Sequence, residues 1–245
     1  MSSKDKLKRF KENETFACLI QPRTEDVLGC DHPLKGHWGR DMFHNDNPIV
    51  LELGCGKGEY TVALSERFPE KNFIGIDIKG ARLWKGAKYA TENHLPNVAF
   101  LRTRIEFISS LFGEGEVSEI WITFADPQEK KAKKRLTHPL FLERYRGFLA
   151  EDGIIHLKTD SRLLHNFTLA LAEQNGLTVL EHNEDIYGSG RADDVLSIKT
   201  FYESSFLAQG IPITHMAFKL DSDKPFKEPE WDQTPYVQQY RTLAR

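Results

Sequence analysis

Two groups of residues in this chain have types and spacings that suit chemistry. The first is Gly54-Cys55-Gly56-Lys57-Gly58, flanked by Glu52 and Glu59, with Asp77 further along. Glycines let a backbone turn tightly and approach a bound group. A carboxylate about 20 residues beyond such a loop is placed to accept from ribose hydroxyls. A dinucleotide site uses Gly-x-Gly-x-x-Gly and offers amides and a helix N-terminus to a pyrophosphate. Here the spacing is Gly54-x-Gly56-x-Gly58, and carboxylates stand on both sides of it. They repel a diphosphate and suit a ligand that carries positive charge.

The second group begins at Asp126. From 124 to 146 there are seven Lys and Arg against three acids, a local excess of +4 in a chain of net charge -3. Lys131, Lys133, Lys134 and Arg135 follow Asp126 closely enough to hold phosphates of a polyanion, with the salt dependence that each such contact brings. The balance of 33 Lys and Arg against 36 Asp and Glu excludes a globally basic coat, so any nucleic-acid surface is local. The nine histidines show no metal spacing, and no nucleophile elbow or Walker loop is present. No metal and no covalent catalysis is expected. Cys18, Cys30 and Cys55 have no CxxC spacing, which argues against a disulfide framework and for a reducing, cytoplasmic setting. No apolar run approaches a membrane span, and the N-terminus lacks the apolar core of a signal peptide.

These groups need elements to hold them. Short apolar runs bounded by Gly, Pro and Asp predict strands over 49–53, 73–76, 98–102, 119–124, 154–158, 177–182 and 213–219. Helical spacing predicts helices over 59–68, 80–93, 139–150, 161–175 and 195–208. Strands alternating with helices mean βαβ units. The expected fold is therefore α/β, a Rossmann-like, doubly wound, seven-stranded, mostly parallel sheet with an antiparallel edge strand. The glycine loop then follows the first strand and Asp77 ends the second, where an open sheet holds its ligand. Residues 1–47 read as a basic, irregular extension whose first 15 or so residues fray or order only on a partner. Residues 48–220 read as the domain and 221–245 as a tail that wraps or hangs free.

S-adenosylmethionine has a sulfonium, an ammonium and a ribose, and no phosphate. Glu52-Leu-Gly-Cys-Gly-Lys-Gly58 resembles the first motif of class I S-adenosylmethionine-dependent methyltransferases. The order continues with Phe73-Ile-Gly-Ile-Asp77, Asp126-Pro127 before Lys133-Lys134-Arg135-Leu136, then Lys158-Thr159-Asp160 and Thr200-Phe201-Tyr202-Glu203. Together these resemble the bacterial tRNA (guanine-N7-)-methyltransferase family, over roughly residues 48–220. The resemblance implies S-adenosylmethionine as cofactor and tRNA as partner, for a monomer or homodimer. It implies that Glu52 and Asp77 bind cofactor with Gly54, Gly56 and Gly58, and that Asp126 belongs to the active centre. It implies that Lys130, Asp160, Thr200, Phe201, Tyr202 and Glu203 bind substrate. Arg104 stands where the family has a cofactor-contacting Asp, and Ala125-Asp126-Pro127-Gln128 where it has Pro-Asp-Pro-Trp.

Guanine N7 carries a lone pair and no proton at neutral pH, so its methylation needs no general base. A carboxylate that orients the purine and stabilises its developing positive charge suffices, and Asp126 is the expected group, with Asp160 or Glu203 accepting from N1 and N2 hydrogens. Two other readings stay open: a class I methyltransferase with another acceptor, and a tRNA-binding protein with a decayed site. Cofactor binding with and without tRNA separates them.

Overall fold

The computed structural model describes residues 3–236. They form, in chain order, α1 (Ser3–Asn13), β1 (Leu19–Ile20), β2 (Ile49–Leu53), α2 (Glu59–Arg67), β3 (Asn72–Asp77), α3 (Gly80–Glu92), β4 (Val98–Arg102), β5 (Val117–Thr123), α4 (Pro139–Arg146), β6 (Leu149–Thr159), α5 (Arg162–Asn175), β7 (Val179–Asn183), α6 (Phe201–Ala208) and β8 (Thr214–Lys219). Strand order in the sheet is β1-β4-β3-β2-β5-β6-β8-β7. The pairs β1–β4, β2–β3 and β3–β4 are parallel. β8 runs antiparallel to both β6 and β7, so the reversed strand sits one place in from the edge. All residues of β2 and β3 are buried, as expected of strands covered on both faces. Strand order reverses between β2 and β5, the kind of position at which open α/β sheets bind ligands.

The sheet has eight strands among the described residues rather than seven. The extra one is β1, in the segment read as irregular. Leu19 and Ile20 pair with Phe100 and Leu101, and Leu19 and Phe16 enter a core cluster with Leu83, Ala87 and Phe100. Two residues are too few to show a period. The segment expected to fray is helix α1, which docks through the Phe10 ring under the Arg102 guanidinium at 5.0 Å and through a set of polar groups. Asn13 Nδ2 donates to the Gly80 carbonyl at 2.9 Å and Arg9 to the Ala81 carbonyl at 3.1 Å. The Arg9 guanidinium also lies 4.3 Å from the Trp84 ring, while Trp84 Nε1 donates to Glu12 at 2.8 Å. A face built from Arg9, Phe10, Glu12 and Asn13 gives little hydrophobic signal.

Two boundaries also differ. α4 stops at Arg146 and β6 begins at Leu149, running through Asp152 and Gly153. The apolar stretch Phe148-Leu149-Ala150 is short enough to suit either element. α6 starts at Phe201, not at 195. The Asp193 carboxylate accepts from the amides of Val195 and Leu196 at 2.9 and 2.7 Å, which commits that stretch to a turn.

The chain divides into two compact units. One runs to Ile120 and includes Phe148–Ala150; the other comprises Trp121–Gly147 and the chain from Glu151 onward. In the second unit the described part of the tail wraps rather than hangs. Phe226 is buried beneath the Arg146 guanidinium at 3.9 Å, and Trp231 lies 6.0 Å from Phe167. Residues 237–245 of the predicted tail lie outside the described residues. Among the described residues no helix is long and apolar enough to cross a membrane, and no His, Cys, Asp or Glu cluster could hold a metal.

Candidate functional site

In the first unit the glycine turn links β2 to α2. Gly54, Gly56 and Gly58 have φ of 77°, 57° and 72°, a region that glycine enters without steric cost. The amides of Gly54 and Cys55 both donate to the Ile76 carbonyl, at 2.8 and 3.0 Å, which pins the turn to the end of β3. Asp77 completes it. One carboxylate oxygen accepts from the Gly56 amide at 3.0 Å and the other from the Lys79 amide at 2.7 Å.

Glu52 has a role that the sequence did not reveal. It is 3 % exposed. One of its oxygens accepts from the Thr61 amide at 2.8 Å and from the Thr61 hydroxyl. Thr61 lies in the first turn of α2, where amides lack intrahelical acceptors. The helix N-cap is Gly58, which has no side chain to offer. A carboxylate from the preceding strand therefore caps α2.

The surroundings fit a cationic nucleoside. A Cβ on Gly54 or Gly56 would meet nothing within 4 Å, so the turn faces open space. Each Asp77 oxygen has a second lone pair for a hydroxyl donor. Burial pushes the Cys55 thiol well above its usual pKa, and the charges of Glu52 and Asp77 push it further. The same negative potential favours a sulfonium or ammonium. Arg104 is exposed at the start of the 3-10 turn Ile105–Ser110, with its Nε 4.0 Å from the Glu106 carboxylate.

Gly58 differs from its two neighbours. A Cβ there would lie 2.5 Å from the Phe100 ring. Gly58→Ala should therefore cost about 2–4 kcal/mol, from positive-φ strain together with overpacking. Gly54→Ala should lose only about 1–2 kcal/mol of stability through its φ. Its added methyl group stands in the open space beside the turn, so on the S-adenosylmethionine reading its main effect should be on cofactor affinity. Thermal unfolding alongside calorimetric cofactor titration of the two variants checks this contrast.

In the second unit the chain leaves β5 through Phe124, whose φ is 49°, and turns at Gln128, whose φ is 48°. Between them Asp126 is exposed, and one of its carboxylate oxygens accepts from the Gln128 amide at 2.9 Å. Left-handed conformations at two non-glycine residues flanking a carboxylate are strain of the kind that gathers at functional sites. Lys130, Lys131, Lys133 and Lys134 are all exposed nearby in sequence.

Arg135 is not part of that basic surface, which corrects its assignment as a phosphate contact. It is 1 % exposed. Its Nε donates to the Pro127 carbonyl at 3.0 Å, its guanidinium lies 4.5 Å from the Phe167 ring, and its other arm donates to Gln233 at 3.3 Å. A 3-10 turn at Ala132–Lys134 ends the exposed run and sends the next side chain inward. Arg135 thus braces the Asp126–Pro127 turn.

Asp160 directly follows β6, and burial lifts its carboxyl pKa to about 6. With Arg162, Asn166, Glu184 and Tyr236 it lines a cavity of about 510 Å³. Thr200 is the N-cap of α6 and forms a reciprocal capping box with Glu203. Phe201 and Tyr202 are 61 % and 44 % exposed, with their rings edge to face at 5.7 Å. Glu203 is fully buried, so the expectation that its carboxylate meets a guanine edge is corrected. It receives Lys158 Nζ at 2.8 Å and the Tyr187 hydroxyl at 2.8 Å. Sequence reasoning named Lys158 within a motif but gave it no role, and it missed Tyr187. A lysine following the apolar run of β6 was the available signal for the first; nothing marked the second.

The strand order with its reversed β8, and a glycine turn held by a strand-end carboxylate, define the class I methyltransferase fold. Solved structures agree. The chain resembles the 16S rRNA methyltransferase KamB, with a TM-score of 0.56 and 14% identity, over 70% of this chain and 87% of that one. It also resembles a 16S rRNA (adenine(1408)-N(1))-methyltransferase from Catenulisporales acidiphilia solved with cosubstrate SAM, with a TM-score of 0.52 and 12% identity, over 78% and 93% of the two chains. The family described as "Putative methyltransferase" matches residues 46–216. The tRNA (guanine-N(7)-)-methyltransferase of Christiangramia forsetii is 55% identical over 223 residues, 90% of this chain and 100% of that protein. The proteins of that name from Bacteroides fragilis and Porphyromonas gingivalis are 50% and 54% identical, over 93% and 87% of this chain and 90% and 87% of theirs. The chain belongs to the tRNA (guanine-N(7)-)-methyltransferase family.

Proposed function

We propose that this protein methylates N7 of a guanosine in the variable loop of tRNA, with S-adenosylmethionine as the donor. The observation that carries the reading is the 55% identity with the relative of that name, matched along its whole length. The turn at Gly54–Gly58, open and negatively biased, supports the choice of donor.

When bound, S-adenosylmethionine supplies a methyl group activated by its sulfonium. The turn at Gly54 and Gly56 leaves room for its body, Asp77 accepts from its ribose, and Glu52 adds negative potential while holding α2. Arg104 faces the cofactor from the loop after β4. Guanine N7 needs no deprotonation, so the protein's task is alignment and electrostatic support. Asp126 orients the purine and stabilises the positive charge that moves onto it. Asp160 in its ionised form accepts from the N1 and N2 hydrogens. Phe201 and Tyr202 stack on an unpaired base, and Thr200 fixes the helix start that presents them. Lys130 and its exposed neighbours Lys131, Lys133 and Lys134 take tRNA phosphates. The setting for this work is the cytoplasm.

Each phosphate contact contributes about 0.7–0.9 to the slope of log affinity against log salt. Lys133→Glu with Lys134→Glu should lower the slope of tRNA binding by about 1.5; an unchanged slope rejects this surface. The activity itself is tested by transfer of labelled methyl to unmodified tRNA transcripts. Label in the RNA supports the reading. Cofactor binding without transfer points to another acceptor, and the absence of both points to an RNA-binding protein.

A further inference from the structure

α6 has an unusual anchor. Of its eight residues only Glu203 is buried; no apolar side chain of the helix is. Its partner Lys158, near the end of β6, is also fully buried. Lys158 Nζ donates to Glu203 and to the Ile198 carbonyl, at 2.8 and 2.9 Å, and lies 5.8 Å from the Phe124 ring. The second Glu203 oxygen accepts from the Tyr187 hydroxyl at 2.8 Å. The Thr200 amide approaches the carboxylate at 3.4 Å, and Thr200 Oγ1 accepts from the Glu203 amide at 3.2 Å. The Lys158–Glu203 pair thus ties together β6, the Tyr187 segment, Ile198 and the first turn of α6.

Stability does not account for this arrangement. A buried ion pair carries a desolvation penalty that its attraction only offsets, and apolar residues of similar volume often do as well. What an ion pair with fixed hydrogen bonds adds is geometry. The two residues between Thr200 and Glu203 are the exposed aromatics Phe201 and Tyr202, so their placement follows from where Glu203 is held.

We propose that Lys158 is a positioning residue: its internal pair with Glu203, braced by Tyr187, fixes the first turn of α6 and so sets the Phe201–Tyr202 face against the substrate base. The substrate half of this inference rests on the tRNA reading above.

The test uses the full chain with Lys158→Met, with Lys158→Met plus Glu203→Gln, and with Tyr187→Phe. The double variant leaves no unpaired charge and keeps a residue able to close the capping box, so it remains informative if the single variant fails to fold. Three quantities are read: amide hydrogen exchange over 196–208, affinity for S-adenosylmethionine, and kcat and KM for tRNA. The double variant should exchange faster over 196–208 and keep cofactor affinity within about twofold. It should lose about 10²-fold in kcat/KM for tRNA, the scale of a small misplacement. Tyr187→Phe, which removes one neutral donor, should lose about three- to tenfold. A double variant with wild-type kcat/KM, or with unchanged exchange over 196–208, overturns the proposal. If the wild-type protein methylates no tRNA, the functional reading fails, and the exchange result still decides whether Lys158 fixes α6.

Discussion

Asp126→Asn is expected to lower kcat for methyl transfer about 10²–10³-fold, the scale seen when one preorganised group that stabilises developing charge is removed. The variant is chosen because Asp126 has a structural bond besides the catalytic role proposed for it. Its carboxylate oxygen accepts from the Gln128 amide at 2.9 Å and holds the turn between two left-handed residues. An asparagine carbonyl accepts the same bond, so the turn persists and only the charge is lost. Cofactor affinity should stay close to wild type, because the groups assigned to the cofactor follow other strands. Asp126→Ala removes the bond as well and should show a further loss, partly in KM. Single-turnover kinetics with saturating tRNA separate the two effects. Equal kcat for Asp126→Asn and wild type would remove Asp126 from the chemistry and leave it as a turn residue.

The second large effect is expected at Asp77. Its two oxygens serve two amides, Gly56 in the glycine turn and Lys79 just before α3. Asparagine offers one acceptor and places an NH₂ group where the other stood, so one amide faces a donor. The ribose also loses a charged acceptor. Hydrogen bonds to charged groups are worth about 1.5–3 kcal/mol, so Asp77→Asn should weaken S-adenosylmethionine binding about 10–100-fold. Asp77→Ala should weaken it further and loosen the turn. Calorimetric titration measures this without any RNA. Wild-type affinity for Asp77→Asn would mean that the ribose is held elsewhere.

Much of this was legible in the sequence because the decisive features are local. The strands of the α/β sheet read clearly where every residue is apolar, as in Ile49–Leu53. The glycine turn and Asp77 read clearly because their positions follow from strand–turn–helix geometry. What stayed hidden is non-local or polar. α1 docks through Phe10 and through Arg9, Glu12 and Asn13, which resemble a solvated face. β1 is two residues long. Arg135 looks like its exposed lysine neighbours until a single 3-10 turn directs it inward. Glu203 matched a substrate position, yet its carboxylate is spent on Lys158, 45 residues away. In the last two cases residue type was legible and direction was not. Direction is set by the tertiary packing of the segments in between.

The most direct test of the central claim is nucleoside analysis of tRNA methylated by the purified protein with S-adenosylmethionine. The prediction is 7-methylguanosine at a single variable-loop guanosine, lost when that guanosine is replaced by adenosine. Methyl label in a different nucleoside, or 7-methylguanosine that persists after the replacement, would contradict it.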